Sequence, residues 1–212
     1  NPVNSPTASN WYKIYREYPL GTWTLIDSVQ YGSEFYQDTI TICDDTINYR
    51  VTNQNGNCTS ISSVDGKNFN DVLPPYSPVI KSVTVDTSNN LATINWFPTK
   101  PMDTRGYIIL KFTGGSWVPI DTIYGINNTT YQHALSSASQ ESECYGIAAF
   151  DSCYYGVPLS PNTSAMGTSH CSIYLTTNYF SCDKKIELNW TSYSTWSSGV
   201  REYNIYYTAN GS

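Results

Sequence analysis

The feature that most constrains this chain is an internal repeat with a step of about 95 residues. Four segments recur at this spacing: Trp23–Val29 as Trp117–Ile123, Tyr36–Asp38 as Tyr131–His133, Tyr49–Val51 as Tyr145–Ile147, and Ile94–Trp96 as Leu188–Trp190. A step of this length is one small domain long, which predicts a tandem array of related modules. Arrays of this kind usually span distance or bind partners rather than catalyse.

Composition limits the classes of partner. The 212 residues carry a formal net charge of −6, which disfavours nonspecific binding to nucleic acid or to an anionic membrane. Only 13% of residues are charged and 15% are aromatic, a composition that is common in secreted β-proteins and too apolar for a disordered chain. No apolar run approaches the roughly 20 residues that cross a bilayer, so we expect no membrane insertion. Asn1 is not a start residue, and we expect a processed product or an excised piece.

The cysteines indicate the compartment. There are six of them: Cys43, Cys58, Cys144, Cys153, Cys171 and Cys182. None has the CxxC or Cys/His spacing of a zinc site. An even number in a chain rich in Tyr and Asn favours an oxidising compartment, and therefore an extracellular or cell-surface location. The alternative is a cytosolic protein with free buried thiols.

Short runs of β-branched and aromatic residues, many of them alternating with polar residues, predict strands throughout. No segment keeps a 3.6-residue apolar period over three turns. Strands separated by frequent turn signals predict antiparallel sandwiches. In the middle of the chain the seven expected strands are A (Val79–Val85), B (Ala92–Trp96), C (Tyr107–Phe112), C′ (Val118–Tyr124), E (Thr130–His133), F (Tyr145–Phe150) and G (Tyr155–Leu159).

Three features of these strands resemble a fibronectin type III module. They are a Trp that closes strand B (Trp96), a Tyr that opens strand C (Tyr107), and a Tyr-x-Ile in strand F (Tyr145–Ile147). The resemblance covers nearly the whole chain. It implies an all-β fold of tandem fibronectin type III or immunoglobulin-like antiparallel β-sandwiches, one complete and two partial.

A longer series of motifs has a narrower resemblance. In order, these are Phe69-x-Asp71, Pro74-Pro75, Ser82–Asp86, Gly106–Ile109, Ile120–Gly125, Asp151–Cys153, Leu188–Trp190 and Gly199-Val200-x-x-Tyr203. The series is similar to the repeats ahead of the C-terminal sorting domain in large gliding-motility-associated proteins of Bacteroidetes, which the type IX secretion system exports. The sequence shows no such sorting domain, so export by that route is implied by the resemblance alone.

The repeat also sets the expected module boundaries. Residues 1–75 form a partial module with strands C to G, residues 76–169 a complete module, and residues 170–212 the first half of a further module with strands A to C. In the last of these, Tyr203–Tyr207 is the expected strand C. Pro74–Pro78 is a stiff linker between the first two modules, and a second linker lies near Met166–Ser169.

The sequence offers no catalytic residues, no metal site and no cofactor motif. Neither His133 nor His170 lies near a Cys or carboxylate at the spacing of a metal site, and both are expected at the surface. Glu141 and Glu143 have the spacing of one strand face, but loop solubility explains them better than a pair of glycosidase carboxylates. Asp44–Asp45 fits a polar turn better than a calcium site between modules.

Aromatic residues in or beside loops are the candidate binding residues. They are Trp11, Trp117, Trp196, Tyr154 and Tyr155, whose rings would stack on sugars. Trp23 and Trp117 occupy equivalent repeat positions, which favours a structural role for that pair.

If the bacterial resemblance holds, an Asp-Ser/Thr-hydrophobic pattern marks O-glycosylation sites. The pattern predicts modification at Ser28, Thr39, Thr46 and Thr122. Chance matches are frequent in so Thr-rich a chain.

Together these features favour a non-enzymatic segment of a large secreted or cell-surface bacterial protein, a stalk, spacer or adhesion module. Its partners would be other modules of the same protein, subunits of a surface assembly, or glycans. One alternative is a set of carbohydrate-binding accessory modules of a secreted glycan-degrading enzyme. Another is a partner-binding subunit whose half modules are completed by other residues.

Disulfide pairing follows from the ends of the sandwich at which the cysteines lie. A strand that separates two cysteines spans ~20 Å, too far for sequence neighbours to bond. This geometry favours Cys144–Cys171 and, across the first module boundary, Cys43–Cys153. Cys58 and Cys182 would then be free or pair with absent modules.

Two further expectations concern burial. Trp96 should lie in the core of its sandwich on the side of Tyr145, whereas its counterpart Trp190 should be less buried. Each half module should expose an apolar sheet face, which a neighbouring copy or further chain would cover.

Overall fold

The computed structural model describes residues 11–100 and 104–207. This part of the chain contains fifteen strands, joined by turns and bends, and no helix. The all-β prediction is therefore confirmed. The chain divides into two compact units, residues 1–72 and residues 73–212. The finer division of the second unit at residues 169 and 170 remains a prediction.

The first unit contains one antiparallel sheet among its described residues. Its strands are β1 (Trp11–Glu17), β2 (Trp23–Gln30), β3 (Asp44–Asn55), β4 (Cys58–Ile61) and β5 (Asp65–Asn70). They follow the order β2–β1–β3–β4, and β5 pairs with the other half of β3. The registers place Ile14 opposite Val51 and Tyr12 opposite Val29, so one face of the sheet is apolar.

The second unit begins with a two-sheet sandwich. Its strands are β6 (Ile80–Asp86), β7 (Leu91–Trp96), β8 (Thr104–Thr113), β9 (Ser116–Tyr124), β10 (Thr130–Gln132), β11 (Cys144–Tyr155) and β12 (Ser160–Thr163). One sheet has the order β10–β7–β6 and the other β12–β11–β8–β9. Six strands match the expected ones closely. Strand G is misplaced, because β11 continues to Tyr155 and residues 156–159 form the turn before β12.

The core of this sandwich is built from alternate residues of both sheets. It comprises Ile80, Val83, Ala92, Ile94, Trp96, Tyr107, Ile109, Ala138, Tyr145, Ile147 and Ala149. Trp96 has no exposed surface and packs edge-to-face on Tyr107, with ring centroids 5.3 Å apart. The predicted burial of Trp96 is thus confirmed.

The remainder of the second unit is a short strand and a hairpin. β13 (His170–Cys171) pairs with β11. Among the described strands, β14 (Leu175–Phe180) pairs with β15 (Lys185–Trp190) alone, in a separate two-stranded sheet. The expected strand at Tyr203–Tyr207 is wrong, since these residues adopt no strand. In the complete sandwich the equivalent strand, β8, is held on both sides by β9 and β11. Within the described residues, Tyr203–Tyr207 has no such neighbours.

Candidate functional site

The junction between the sandwich and the 170–207 segment is built around Tyr193. Its side chain is 6% exposed, and its hydroxyl accepts a hydrogen bond of 3.0 Å from the Val83 backbone N–H. Val83 follows the bulge in β6, where register with β7 shifts between Ile80 and Ser82. The same hydroxyl lies 2.7 Å from Nδ1 of His170. The junction thus satisfies a backbone donor of the sandwich with a side chain from the following segment.

His170 is buried in this junction, contrary to the expectation of a surface residue. Only 3% of it is exposed, because β13 adds to the β11 edge and carries the imidazole under Tyr193. Burial lowers the pKa of His170, since desolvation penalises the imidazolium. Tyr193 responds oppositely, because burial raises the pKa of its phenol. The neutral forms of both groups are therefore favoured.

A cleft of about 400 Å³ opens beside this junction. Phe97 and Trp196 contribute aromatic surface, and Thr168, Thr195, Ser197 and Ser198 contribute hydroxyls. Lys81 also lines the cleft and lies over the Phe97 ring, with Nζ 4.5 Å from the centroid. The Trp196 indole Nε1 donates to the Lys81 carbonyl at 2.6 Å, which fixes the ring at the rim. Aromatic faces beside hydroxyls and an ammonium suit a polar ligand with an apolar face.

The predicted aromatic candidates do not form one site. Trp11 belongs to the first unit, where it opens β1 and is 53% exposed. Trp117 faces Phe112 across the β8–β9 hairpin, with ring centroids 5.2 Å apart. Tyr154 and Tyr155 are exposed at the end of β11, at the opposite end of that sheet from the hairpin turn. Of the five residues only Trp196 lines a described cleft.

Among the described carboxylates, Glu143 has the pKa that is shifted furthest from its usual value. The expectation that Glu143 is an exposed loop residue is wrong. It is 2% exposed and forms an ion pair with Lys111 of β8. Ser136 Oγ donates to it at 2.6 Å and the Tyr145 hydroxyl at 2.7 Å. These donors outweigh desolvation and lower the pKa of Glu143 to about 2. The carboxylate is therefore ionised, and its contacts anchor the loop before β11.

His133 belongs to the same buried cluster and is likewise not a surface residue. It is 7% exposed, with Nδ1 2.8 Å from the Tyr145 hydroxyl. Burial and the nearby Lys111 charge lower the pKa of His133. The sequence signal that was missed is the repeat itself, because His133 aligns with Asp38, which makes the matching contact in the first unit.

In the first unit, Asp38 makes the contacts that Glu143 makes in the second, although the two carboxylates lie at different positions of the repeat. Asp38 accepts from Arg16 at 3.0 Å and from the Tyr49 hydroxyl at 2.8 Å. Desolvation and the Asp38 hydrogen bond raise the pKa of Tyr49 to about 12. Each unit therefore links a cation, a carboxylate and a tyrosine. In the first unit the cation is on β1 and the tyrosine on β3, and in the second they are on β8 and β11. The carboxylate is buried in the second unit and partly exposed in the first, and in both it connects neighbouring strands.

The disulfide expected at the end of the complete module is present. Cys144 and Cys171 are bonded, across a sequence separation of 27 residues, and they lie opposite each other in the β11–β13 pair. Cys58 and Cys182 are free and exposed. The Cys43–Cys153 pairing, which would join the two units, remains a prediction.

The predicted O-glycosylation residues lie on strands or in one loop. Ser28 is on β2, Thr46 on β3, Thr122 on β9, and Thr39 in the loop between β2 and β3. At the three strand sites, the preceding aspartate accepts a 2.7 Å hydrogen bond from the backbone N–H of the hydroxyl residue. Asp45 thus lies in a strand, not in the predicted polar turn.

The 170–207 segment leaves an apolar groove of about 600 Å³. One face of the β14–β15 hairpin lines it, with Leu175, Leu188 and Trp190 opposite Tyr203–Tyr207. Trp190 is 38% exposed, so the predicted contrast with Trp96 is confirmed. Two smaller grooves, of about 240 and 470 Å³, lie on the apolar face of the described part of the first unit. These surfaces agree with the expectation that the half modules expose apolar faces.

No helix in the described ranges is both long enough and apolar enough to span a membrane.

Comparisons with known proteins concern the fold. A scan against protein-family models found no match, and a search of curated proteins found none. Among solved structures, the chain is similar to a Fn3-like protein from Clostridium thermocellum, at 16% identity and a TM-score of 0.35, covering 50% of this chain and 97% of that one. It is similar to the chicken CNTN1 FN1–FN3 domains, at 13% identity and a TM-score of 0.38, covering 76% of this chain and 55% of that one. It is also similar to the chicken interferon gamma receptor alpha chain, at 11% identity and a TM-score of 0.38, with coverages of 81% and 87%.

Proposed function

We propose that this chain is a non-enzymatic segment of a large secreted or cell-surface bacterial protein, in which it acts as a stalk or spacer. The observation that carries the proposal is the junction of the second unit. There Tyr193 hydrogen-bonds the sandwich backbone, and the Cys144–Cys171 disulfide ties β11 to the start of the next segment. A linker locked in this way transmits force between modules instead of swinging freely.

The buried ionisable groups support a structural role. The Tyr145 hydroxyl contacts both His133 and Glu143, and Glu143 accepts hydrogen bonds from Ser136 and Ser137 of the loop before β11. A hydrolase needs its carboxylates in a cleft that a substrate can enter. Here the carboxylate is enclosed by protein donors.

The narrower bacterial resemblance gives the proposal a setting. We infer gliding-motility-associated surface proteins exported by type IX secretion as the parent class, with O-glycans on Ser28, Thr39, Thr46 and Thr122. The support is the ordered motif series in the sequence. The exposed hydroxyl residues Thr39, Thr46 and Thr122 are compatible with modification.

Thiol labelling on intact cells tests the proposed location. Cys58 and Cys182 are exposed and free, so a membrane-impermeant maleimide should label the protein on cells that produce it. The Cys58→Ser/Cys182→Ser double variant is the control and should remain unlabelled. Labelling that appears only after cell lysis would contradict a surface location.

A mechanical measurement tests the spacer role. Pulling the chain from its ends should give discrete unfolding of the second unit. Because the disulfide encloses a 27-residue separation, its reduction should lengthen the released chain by roughly 90 Å, at the ~3.3–3.6 Å that each extended residue spans. Featureless extension at low force would contradict a load-bearing spacer.

The alternative, a carbohydrate-binding accessory module, is favoured by the cleft between Phe97 and Trp196. Calorimetry against a panel of soluble glycans tests it, with Trp196→Ala as the variant and Trp117→Ala as the matched aromatic control. Binding that Trp196→Ala abolishes and Trp117→Ala preserves would favour this alternative over a pure spacer.

A further inference from the structure

The cleft beside the Tyr193 junction is formed entirely by residues of the second unit. Residues 79–81 and 97 flank the β6–β7 hairpin or belong to it, and residues 195–198 come from the loop that follows β15. The described chain therefore supplies the walls on both sides. Its volume of about 400 Å³ lies in the range of small-molecule sites.

One wall of the cleft carries a positive charge. Lys81 is exposed, and its Nζ lies 4.5 Å from the centroid of the Phe97 ring. Among the described residues the Lys81 ammonium forms no ion pair, and no carboxylate belongs to the lining. In a chain with a net charge of −6, the cleft is thus a locally cationic site that favours an anion.

His170 supplies a second donor, and its hydrogen-bond partner determines which ring nitrogen carries the proton. The residue lines the cleft and is only 3% exposed. The Tyr193 hydroxyl already accepts from the Val83 N–H, so it donates its own proton to Nδ1 of His170. The neutral imidazole then carries its hydrogen on Nε2, which has no hydrogen-bond partner among the described residues. Nε2–H is therefore a buried donor available to a ligand in the cleft.

Trp196 supplies apolar surface that is already fixed in place. Its ring packs on Tyr193 with centroids 4.4 Å apart, and its indole N–H donates to the Lys81 carbonyl at 2.6 Å. The residue is nevertheless 40% exposed. A ring held in this way loses little conformational freedom when a ligand stacks on it. The hydroxyls that line the same cleft belong to Thr168, Thr195, Ser197 and Ser198.

We propose that this cleft binds a singly charged acidic sugar, with its carboxylate or sulfate ester between the Lys81 ammonium and the His170 Nε2–H and its ring on Trp196. One ammonium and one neutral N–H match an anion that carries a single charge and several acceptor oxygens. The C–H face of a sugar ring matches the indole, and its hydroxyls match those of the lining. The cleft has room for roughly two sugar rings.

Binding of an acidic sugar rests on the carbohydrate-binding alternative stated above and narrows it to one class of ligand. It is also compatible with the spacer role, because the cleft lies at the junction that Tyr193 and the Cys144–Cys171 disulfide hold in place. A spacer of this kind would hold acidic polysaccharide beside a fixed junction.

Calorimetry with matched sugars tests the requirement for a charge. The probes are tetrasaccharides of galacturonate, glucuronate and mannuronate, the methyl esters of the same sugars, and sulfated galactose tetrasaccharides. At least one acidic probe should bind about tenfold more tightly than its uncharged counterpart, which keeps the ring but loses the charge. The uronate and sulfate arms identify which anion the cleft takes.

Two variants separate the charge from the stacking surface. Lys81→Gln removes the ammonium but keeps the backbone carbonyl that holds Trp196. It should weaken binding of the acidic probe about tenfold and leave binding of the methyl ester unchanged. Trp196→Ala should weaken binding of both. Lys185→Gln is the matched control, because Lys185 is exposed on β15 and lies outside the cleft, and it should bind like the wild type.

The outcomes distinguish this ligand from the broader proposals. Equal affinity for an acid and its methyl ester would overturn the acidic ligand while favouring a module for neutral glycans. The absence of binding of every acidic probe up to about 10 mM would overturn it and leave the spacer role to the force measurement. Equal losses in Lys81→Gln and Lys185→Gln would also overturn it, because they would reflect the overall charge of the protein. Since Lys81 is exposed, Lys81→Gln should unfold at the wild-type urea concentration.

Discussion

The hairpins β6–β7 and β14–β15 have the same alternation of inward-facing apolar residues. Their second strands end in Ile94-Asn95-Trp96 and Leu188-Asn189-Trp190, respectively. In the first hairpin Trp96 has no exposed surface, because β8 and β11 cover the hairpin with Tyr107 and Tyr145. In the second hairpin, Trp190 is 38% exposed. Tyr203, the counterpart of Tyr107, packs on its ring, but among the described residues no counterpart of Tyr145 covers it. The pattern therefore specifies which face turns inward, whereas the opposing sheet determines how much of that face is removed from water.

The covering tyrosine is attached in the same way in both regions. Tyr107 accepts a hydrogen bond from the Thr99 N–H at 3.2 Å, and Tyr203 accepts from the Tyr193 N–H at 2.9 Å. Thr99 and Tyr193 each lie three residues after the strand-closing tryptophan. This local motif forms without the second sheet, so it belongs to the chain segment itself.

The largest expected effect separates the two tryptophans. Trp96→Ala should lower the free energy of unfolding by about 3–5 kcal/mol, because it leaves a cavity in a closed core. Trp190→Ala should cost about 1–2 kcal/mol, because part of the ring is already in water. Urea unfolding followed by circular dichroism at low protein concentration measures both. Equal losses would show that the two hairpins are equally covered.

A smaller effect is expected at Glu143, which the sandwich buries. Glu143→Ala should cost about 3 kcal/mol near neutral pH, since it leaves Lys111 and Tyr145 without their carboxylate. The exposed neighbour Glu141 is the control, and Glu141→Ala should leave the melting temperature unchanged.

The same carboxylate predicts a pH dependence. The pKa of Glu143 is lowered from its usual 4.5 to about 2, so its stabilising contribution is complete above about pH 4.5 and is lost as the pH falls towards 2. The difference between wild type and Glu143→Ala should therefore shrink between pH 5 and pH 2. A difference that stays constant over that range would contradict the ionised, buried carboxylate.

The disulfide tests whether the hairpin segment depends on the sandwich for its position. Replacing Cys144 and Cys171 by Ser should cost about 3 kcal/mol, the range for a loop of this length. Limited proteolysis should then cut the 170–207 segment before the sandwich. Cys58→Ser and Cys182→Ser, which alter only free thiols, should leave both measurements unchanged.

A further effect concerns the junction hydroxyl. Tyr193→Phe should cost about 1–3 kcal/mol, because the buried Val83 N–H loses its acceptor. Native-state hydrogen exchange at Val83 measures this directly. Unchanged protection of that amide in the variant would show that the junction does not depend on Tyr193.

Acidification should loosen the same junction through His170. Its pKa is lowered by burial, so the unfolded state binds more protons in the interval below its usual 6.5, and stability falls as the pH drops through that interval. Trp196 fluorescence should report loosening as the pH falls below 6.5, and His170→Gln should diminish it. An equal response in the variant would assign the effect to another group.

Much of the fold was predictable from local pattern. Alternation and the 95-residue step located nearly all strands of the complete sandwich, because side-chain period and repeat length depend on sequence alone. Strand G was misplaced because β11 extends past its core residues to Tyr155, and only pairing with β12 fixes that end. The burial of Glu143 and His170 was missed because isolated polar residues carry no periodic signal. For His133 the repeat alignment with Asp38 was the signal that could have indicated its burial.

The sequence by itself determined the class of the fold, the inward faces of the hairpins and the Cys144–Cys171 pairing. Each of these follows from periodicity, repeat alignment or the reach of a disulfide. Tertiary structure decided which polar groups are buried and which cleft Trp196 lines. It also decided why Trp96 is enclosed while Trp190 is not, since burial depends on whether a second sheet lies opposite, and the same strand sequence is compatible with either outcome.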